Sequence, residues 1–230
     1  MNTYDVLLKG HEDVAAGTMA FRFTKPPGFV FKPGQAITLF LTDPPPEPNS
    51  RQRIFSLVSA PFEAELAVAT RMREGSDFKR ALKSLPAGAK LELKGPRGVM
   101  TLHDDRSRAA LFIAGGIGIT PFMSMLRQAA HDRLDQPLLL LCSNRRQEDT
   151  PFLAELQDLQ RQSRSFRLLA RMTDLDGFVD GATIKHFVGD APAPVYYLAG
   201  PPAMVEAMKK LLRAAGVGDA DVRSEQFYGY

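Results

Sequence analysis

The rhythm of hydrophobic and polar positions changes once along the chain, at about residues 104–108. Before this point, short segments alternate apolar and polar residues between proline and glycine turns, a spacing that favours an antiparallel β-barrel. Apolar residues at helical spacing predict one helix in this part. The predicted strands are Thr18–Phe23, Ala36–Leu41, Arg53–Val58, Glu65–Arg71 and Lys90–Lys94, and the predicted helix is Ser76–Leu85.

Strands and helices alternate in the second part, which predicts an α/β arrangement with a parallel sheet and helices on its faces. The change of rhythm thus divides the chain into two predicted domains, residues 1–103 and residues 104–230. The predicted strands of the second are Ala109–Ala114, Pro137–Cys142, Phe166–Met172 and Val195–Ala199, and the predicted helices are Pro121–His131, Thr150–Gln162 and Pro201–Ala215.

A glycine-rich turn, Gly115–Pro121, joins the first strand of the second part to its first helix. Glycine allows the backbone to approach a phosphate closely, and the free N–H groups of a helix start attract anions. We expect Thr120 to cap this helix and Pro121 to be its first residue. The turn departs from the G-x-G-x-x-G pattern of ordinary dehydrogenases. A tight structural turn is the alternative interpretation.

The strand Arg53–Ser56 places a cation and an aromatic ring on one face, because alternation puts Arg53 beside Phe55 and Ile54 beside Ser56. A second glycine turn, Gly75–Ser76, opens the predicted helix of the first part. Its backbone N–H groups and the Ser76 hydroxyl could hold a phosphate. Taken alone, the tetrapeptide is more typical of an ordinary strand with an exposed arginine beside a surface or core aromatic.

Composition excludes several classes of site. The single cysteine, Cys142, cannot supply a disulfide, a four-cysteine iron–sulfur cluster or a structural zinc site, and its apolar context predicts a buried thiol. We therefore expect no metal. The histidines have no ligand spacing and are expected at the surface or in capping positions. They are His11, His103, His131 and His186.

The net charge of +3 is unevenly shared, with an excess of positive charge in the first 103 residues. Such a moderate excess suits an acidic protein or a phosphate-bearing ligand and is too weak to indicate nucleic-acid binding. No apolar run is long enough to insert into a membrane, and no basic leader precedes an apolar stretch. We expect a cytoplasmic protein. A monomer is favoured, although the sequence leaves the oligomeric state open.

The order of these motifs resembles the ferredoxin–NADP reductase superfamily, in which a flavin-binding barrel precedes a pyridine-nucleotide domain. Arg53–Ser56 is similar to the family's R-x-[YF]-S flavin strand, Gly75–Ser76 to its pyrophosphate turn and Gly115–Pro121 to its nicotinamide-nucleotide turn. Tyr197–Pro201 is similar to its later strand and C-G-P turn. The resemblance implies hydride transfer from NAD(P)H to FAD, followed by electron transfer to an acceptor.

The resemblance also implies a set of site residues. The serine and the acidic residue near the carboxyl end, Ser56 and Glu225, would act at the reacting groups. The residues that would bind FAD or the nicotinamide nucleotide are Arg53, Ile54, Phe55, Ser56, Arg71, Gly75, Ser76, Gly116, Gly118, Thr120, Pro121, Ser143, Arg145, Arg146, Gly200, Pro201 and Phe227. FAD is favoured over FMN because the Gly75–Ser76 turn suits a pyrophosphate.

The chain departs from the family pattern at Ala199, which stands where many members have cysteine. Any help of that thiol in positioning the nicotinamide is therefore absent. The ending Ser224–Tyr230 resembles the family's acidic-x-aromatic ending near the flavin, and an aromatic tail packed on the barrel is the alternative. Arg145 and Arg146 favour NADPH, since guanidinium binds a 2′-phosphate, although acidic residues follow closely and NADH stays open.

Three functions remain compatible with the residues. The first is a reductase that feeds a separate acceptor such as ferredoxin, flavodoxin, an oxygenase component or, alternatively, a ferric chelate or quinone. The second is a non-autonomous electron-transfer subunit of a larger redox complex. The third is a flavin-binding or nucleotide-binding module without catalysis, which would differ from the others because a reduced nicotinamide would not bleach the flavin.

Overall fold

A computed structural model describes residues 2–43 and 50–228. The chain divides into two units. The first comprises residues 1–101 and 120–128, and the second comprises residues 102–119 and 129–230. Residues 120–128 of the first helix after the glycine-rich turn are therefore grouped with the first unit, whereas the end of that helix and the turn itself are grouped with the second.

The first unit is built on an antiparallel sheet of six strands. These are β1 (Asn2–Ala15), β2 (Thr18–Thr24), β3 (Ala36–Leu41), β4 (Gln52–Ser56), β5 (Glu65–Arg71) and β6 (Lys90–Arg97), in the order β4-β3-β6-β1-β2-β5. A bridge between Leu57 and Val68 joins the two edges, and the Val58 N–H donates to the Ala67 carbonyl at 2.8 Å. Because its edges are joined, the sheet curls into the expected barrel.

Apolar side chains fill the barrel interior, and Phe21, Phe23, Leu39 and Leu66 are fully buried there. The helix α1 (Asp77–Ser84) contributes Phe78 and Leu82 to the same core. Strand β1 was not predicted, because most of its side chains are exposed and its apolar positions are few. It is held instead by pairing with both β2 and β6.

The second unit contains the predicted parallel sheet. Its strands are β7 (Ala110–Gly115), β8 (Leu138–Asn144), β9 (Phe166–Met172), β10 (Val195–Gly200) and β11 (Val222–Gln226), in the order β11-β10-β7-β8-β9. The strand order reverses direction beside β7, so the crevice outside the carboxyl ends of β7 and β10 is where such sheets bind ligands.

The remaining helices are α2 (Thr120–His131), α3 (Leu153–Gln162), α4 (Thr173–Asp176), α5 (Gly181–Val188) and α6 (Pro202–Ala214). The predicted helix Thr150–Gln162 begins later than expected, because Phe152 adopts a left-handed backbone conformation with φ of +60°. Within the described part of the chain, no helix is long and apolar enough to cross a membrane.

Candidate functional sites

Strand β4 carries the first group of candidate residues. The Arg53 guanidinium lies 5.7 Å from the centre of the Phe78 ring, and the Phe55 ring lies 5.9 Å from the same centre. Arg53 and Phe55 therefore share a face, as alternation predicted. Ile54 is 56% exposed, whereas Ser56 is buried where the strand ends. The strand thus presents a cation and a hydroxyl from a rigid sheet.

The glycine turn that opens α1 has the features of a phosphate site. Gly75 has a φ of +90°, a conformation that favours glycine. Ser76 stands at the N-cap of α1, yet its hydroxyl makes no capping bond. The Ser76 Oγ is buried and has no hydrogen-bond partner among the described residues. A buried hydroxyl without a partner is costly, so this group is poised to bind a ligand.

Lys79 adds an ammonium group that sequence reasoning missed. Its Nζ donates to the Arg71 carbonyl at 2.9 Å, and no carboxylate pairs with it in the described residues. Partial burial lowers the pKa of Lys79, and the charges of Arg73 and Arg53 lower it further. The nearby carboxylate of Asp77 pairs with Arg80.

We call the segment Arg71–Lys79, together with Arg53, the cationic turn. It combines clustered positive charge with an unpartnered buried hydroxyl at the start of a helix. Both features suit a phosphate, because an anion would relieve the repulsion among the cations and accept a hydrogen bond from Ser76. The spacing of Ser76 and Lys79, three residues apart at the first turn of a helix, is the signal that could have identified Lys79.

In the second unit, the glycine-rich turn and the Gly200–Pro201 turn meet at the carboxyl ends of β7 and β10. A Cβ atom at Gly118 would lie 2.1 Å from the Ala199 carbonyl oxygen, and one at Gly200 would lie 3.1 Å from the Gly115 backbone. These two glycines therefore allow the turns to pack against each other. Gly116 has a φ of +54°, which glycine adopts without strain.

The start of the helix after this turn differs from the prediction. A short 3₁₀ turn over Gly116–Ile119 leads directly into α2, so Thr120 is the first helical residue and not the cap. Pro121 is the second. The expected role of both as ligand-binding residues stays a prediction. Pro201 directly precedes α6, as expected for a turn that leads from a strand into a helix.

The two residues that directly follow β8 are arginines, and carboxylates pair with both of them. The Arg145 Nε lies 3.1 Å from an Asp174 carboxylate oxygen, and the Asp174 N–H donates to the Arg145 carbonyl at 3.2 Å. Arg146 pairs with both Glu148 and Asp149, at 3.0 and 3.1 Å. Three carboxylates thus pair with the two arginines that were expected to bind a 2′-phosphate.

Ser143 and Asn144 lie at the end of β8, where Ser143 is in register with Gly115 of β7. Asn144 is buried, and its Oδ1 has no hydrogen-bond partner among the residues that the structure describes. Sequence reasoning did not single out Asn144. Its amide adds a polar group to the edge of the sheet at which nucleotides bind in such folds.

The carboxyl-terminal residues form part of the second sheet. Glu225 is half-buried on β11, in register with Ala199, and the Phe227 N–H donates to the Gly200 carbonyl at 2.9 Å. Residues 222–226 pair with β10, so this part of the ending is an ordered strand, and the roles of Glu225 and Phe227 near the flavin stay predictions. Gly229 and Tyr230 lie outside the described residues.

His103 corrects the expectation that every histidine lies at the surface or in a capping position. It is buried, and its Nδ1 lies 2.9 Å from the hydroxyl of Tyr197, which also accepts from the His103 N–H at 2.8 Å. Its Nε2 lies 2.9 Å from the side-chain amide of Gln136. Burial lowers the pKa of His103. This network links the segment before β7 to the sheet.

Burial raises the pKa of Cys142 to about 12, so its thiol is unreactive near neutral pH, in line with the expected buried position. No group of three histidine, cysteine, aspartate or glutamate side chains within residues 2–43 and 50–228 is arranged to hold a metal ion.

Comparisons with known proteins cover both units. Residues 112–210 match the model of the oxidoreductase NAD-binding domain family. The reductase component of propane 2-monooxygenase from Mycolicibacterium smegmatis is 28% identical over an alignment of 217 residues, and the match covers 88% of this chain and 61% of that protein. NADH-cytochrome b5 reductase 1 from Aspergillus terreus is 27% identical over an alignment of 228 residues, and the match covers 91% of this chain and 77% of that protein.

Among solved structures, a ferredoxin NADP+ reductase from Neisseria gonorrhoeae with bound FAD and NADP superimposes with a TM-score of 0.81. The match covers 97% of this chain and 98% of that chain, at 18% sequence identity, and shows a shared fold. This chain spans about three fifths of the length of the oxygenase reductase components that it matches.

Proposed function

We propose that this chain is a member of the ferredoxin–NADP reductase superfamily and a FAD-dependent NAD(P)H oxidoreductase that passes electrons to a separate acceptor. The observation that carries the proposal is the cationic turn, in which an unpartnered buried hydroxyl stands among clustered cations that no carboxylate neutralises at Lys79. Such a site favours an anion, and the pyrophosphate of FAD would supply one.

The residues of the first unit fit FAD. The cationic turn, which includes Arg53, would bind its phosphates. Gly75 would permit close approach of the backbone, and Ser76 would donate a hydrogen bond. Phe55 would contact the ring system, and Ser56 ends the same strand. We assign residues 1–103 as the flavin-binding domain. Arg71 takes part through its carbonyl, which orients Lys79, as well as through its charge.

The residues of the second unit fit a nicotinamide nucleotide, and residues 104–230 are the proposed nucleotide-binding domain. The turns at Gly116–Gly118 and Gly200–Pro201 lie where the strand order reverses, and Ser143 ends the neighbouring strand. The carboxylates that pair with Arg145 and Arg146 would repel a 2′-phosphate and could accept hydrogen bonds from ribose hydroxyls. We therefore propose that NADH is used more readily than NADPH.

Flavin, when bound, supplies the exchange between two-electron and one-electron chemistry. The chain's own residues bind, orient and exclude water. Ser56 would donate a hydrogen bond at the end of β4, because its hydroxyl is on a rigid strand and is shielded from solvent. Glu225, held in register with Ala199, would hold a proton or accept a hydrogen bond at the end of β10. No side-chain nucleophile is needed for this role.

The acceptor is proposed to be a separate protein, either a ferredoxin, a flavodoxin or the oxygenase component of a multi-protein system. The relatives support this class, since one is named as a reductase component of a monooxygenase. A permanently docked electron-transfer subunit, and a reductase of ferric chelates or quinones, are the alternative forms of the same chemistry. We propose a cytoplasmic location, which suits a supply of NADH.

Turnover in two half-reactions tests this function. The protein is loaded with FAD and mixed with NADH without air, and then with ferricyanide or with a purified [2Fe–2S] ferredoxin. We expect NADH oxidation to depend on both FAD and the acceptor. Binding of FAD with no oxidation of NADH by any acceptor would instead support a binding module without catalysis.

A further inference from the structure

Two polar residues of α2 bind the loop that follows strand β4. The Ser124 Oγ donates to the Ser59 carbonyl at 2.7 Å, and both side chains are fully buried. One turn further along, the Arg127 Nη1 donates to the Val58 carbonyl at 3.3 Å. Two consecutive carbonyl groups of the loop are therefore held by one helix. All these residues belong to the first unit.

A carboxylate completes the attachment. Arg127 pairs with Glu63 at 3.4 Å, and the Glu63 Oε1 also accepts from the Ala60 N–H at 2.7 Å. From another strand end, Lys25 donates to the carbonyl groups of Pro61 and Glu63. The loop over residues 57–63 is thus fixed by side chains along its length, whereas connecting loops are generally more mobile than the elements that they join.

The loop directly follows strand β4, which carries proposed flavin-binding residues. Val58 and Ser59 follow Ser56 by two and three residues, so they set where strand β4 ends. Helix α2 begins directly after the glycine-rich turn, at Thr120. Helix α2 therefore directly follows the glycine-rich turn, and its side chains bind the loop at the end of strand β4.

We infer that Ser124 and Arg127 are positioning residues, which hold the end of strand β4 in the geometry that hydride transfer requires. The inference rests on the proposed function. Phe122, Met125 and Leu126 are also buried, so α2 has apolar packing in addition to the two polar contacts. The hydrogen bonds from Ser124 and Arg127 orient the loop carbonyl groups, because a hydrogen bond fixes an angle and a distance that apolar packing leaves free.

Stopped-flow reduction of the FAD-loaded protein by NADH tests the inference with Ser124→Ala and Arg127→Gln. The matched controls are Ser84→Ala, which removes a helix-surface hydroxyl from α1, and Arg161→Gln, which removes an exposed helix-surface guanidinium from α3. Flavin retention, the visible flavin spectrum and the dependence of the rate on NADH concentration are recorded for each variant. Hydrogen exchange of the loop amides 57–60 is measured in the flavin-free proteins.

The inference predicts that each α2 variant lowers the limiting reduction rate about tenfold, since small misplacements of reacting groups have large effects. NADH affinity and flavin retention stay within twofold of wild type, the flavin spectrum shifts, and the loop amides exchange faster. The controls resemble wild type in all five properties.

Reduction rates of both α2 variants equal to wild type would overturn the inference, and so would loss of flavin from both, which would show a general structural role. A wild-type protein that binds FAD but is not reduced by NADH would contradict the proposed function itself, and the inference with it.

Discussion

Arg145 and Asp174 are joined twice, by an ion pair between their side chains and by a hydrogen bond from the Asp174 N–H to the Arg145 carbonyl. They lie far apart in sequence, at the ends of the adjacent parallel strands β8 and β9. The guanidinium that would favour a 2′-phosphate is thus matched with a carboxylate. We therefore propose that the choice between NADH and NADPH is set by the pair and not by Arg145 alone.

Replacement of Asp174 by asparagine should favour NADPH. Asp174→Asn removes the negative charge and keeps the main-chain bond, so Arg145 becomes available to a phosphate. We expect kcat/KM for NADPH to rise about fivefold to tenfold relative to that for NADH. This change corresponds to the free energy of one charge-assisted hydrogen bond. Asp219→Asn, which breaks the exposed Arg213–Asp219 pair, is the control and should leave the ratio unchanged. An unchanged ratio in Asp174→Asn would exclude this residue from nucleotide selection.

Arg53→Ala should weaken flavin retention, because Arg53 is the cation presented by strand β4 beside Phe55 and Phe78. Dialysis followed by measurement of bound FAD gives the comparison. We expect affinity to fall by about tenfold or more, as for loss of a charge-assisted contact to phosphate. Arg22→Ala, on the exposed face of β2, serves as the control. Full occupancy of Arg53→Ala after extensive dialysis would remove Arg53 from the site.

Lys79→Gln should weaken the binding of FAD and leave riboflavin binding nearly unchanged. The ammonium group lies among cations and lacks a carboxylate partner in the described residues, so its proposed ligand is a phosphate, which riboflavin lacks. Fluorescence titration of the flavin-free protein measures both affinities. Lys83→Gln, in the last turn of the same helix, controls for loss of charge. Equal losses for FAD and riboflavin would argue against a phosphate contact.

Gly118→Ala should destabilise the protein by about 2 kcal/mol or more, since the new Cβ would lie 2.1 Å from the Ala199 carbonyl oxygen and the backbone must move. Gly218→Ala is the matched control, because nothing lies within 4 Å of its added Cβ and its φ is −71°. Thermal unfolding of the two variants should differ clearly. Similar midpoints would show that the two turns separate without cost.

The stability of the protein should fall on acidification through the titration of His103. Burial lowers the pKa of His103 below its ordinary value of 6.5, so the unfolded chain takes up the proton first as the pH falls. The contribution is therefore complete above about pH 6.5 and is lost as the pH falls through the folded-state pKa. Thermal midpoints between pH 5 and pH 8 should vary less in His103→Gln than in wild type. Parallel curves would show that His103 does not titrate in this way.

The fold followed closely from the sequence where local pattern and tertiary environment agree. Strands Ala36–Leu41, Glu65–Arg71 and Phe166–Met172 have the bounds that alternation or an apolar run predicted. Strand β11 was missed because four of its five residues are polar and show no strand pattern. Hydrogen-bonded pairing with β10 holds it in the sheet. Helix α5, Gly181–Val188, was also missed, although Asp180 caps it by accepting from the Thr183 N–H.

The candidate sites were less predictable because they depend on contacts between distant parts of the chain. Alternation predicted the shared face of Arg53 and Phe55, but not that Phe78 lies beside both. The burial of His103 depends on Tyr197 and Gln136, which no local pattern connects with it. The acidic partners of Arg146 were visible nearby in the sequence, whereas Asp174 became a partner of Arg145 only through the pairing of two strands.

The visible spectrum of the purified, FAD-loaded protein, recorded without air before and after addition of NADH, tests the central claim most directly. We predict a flavin spectrum that survives gel filtration and bleaches when NADH is added. A protein that retains no FAD under any loading condition, or whose bound flavin stays oxidised with both NADH and NADPH, would contradict the assignment as a reductase.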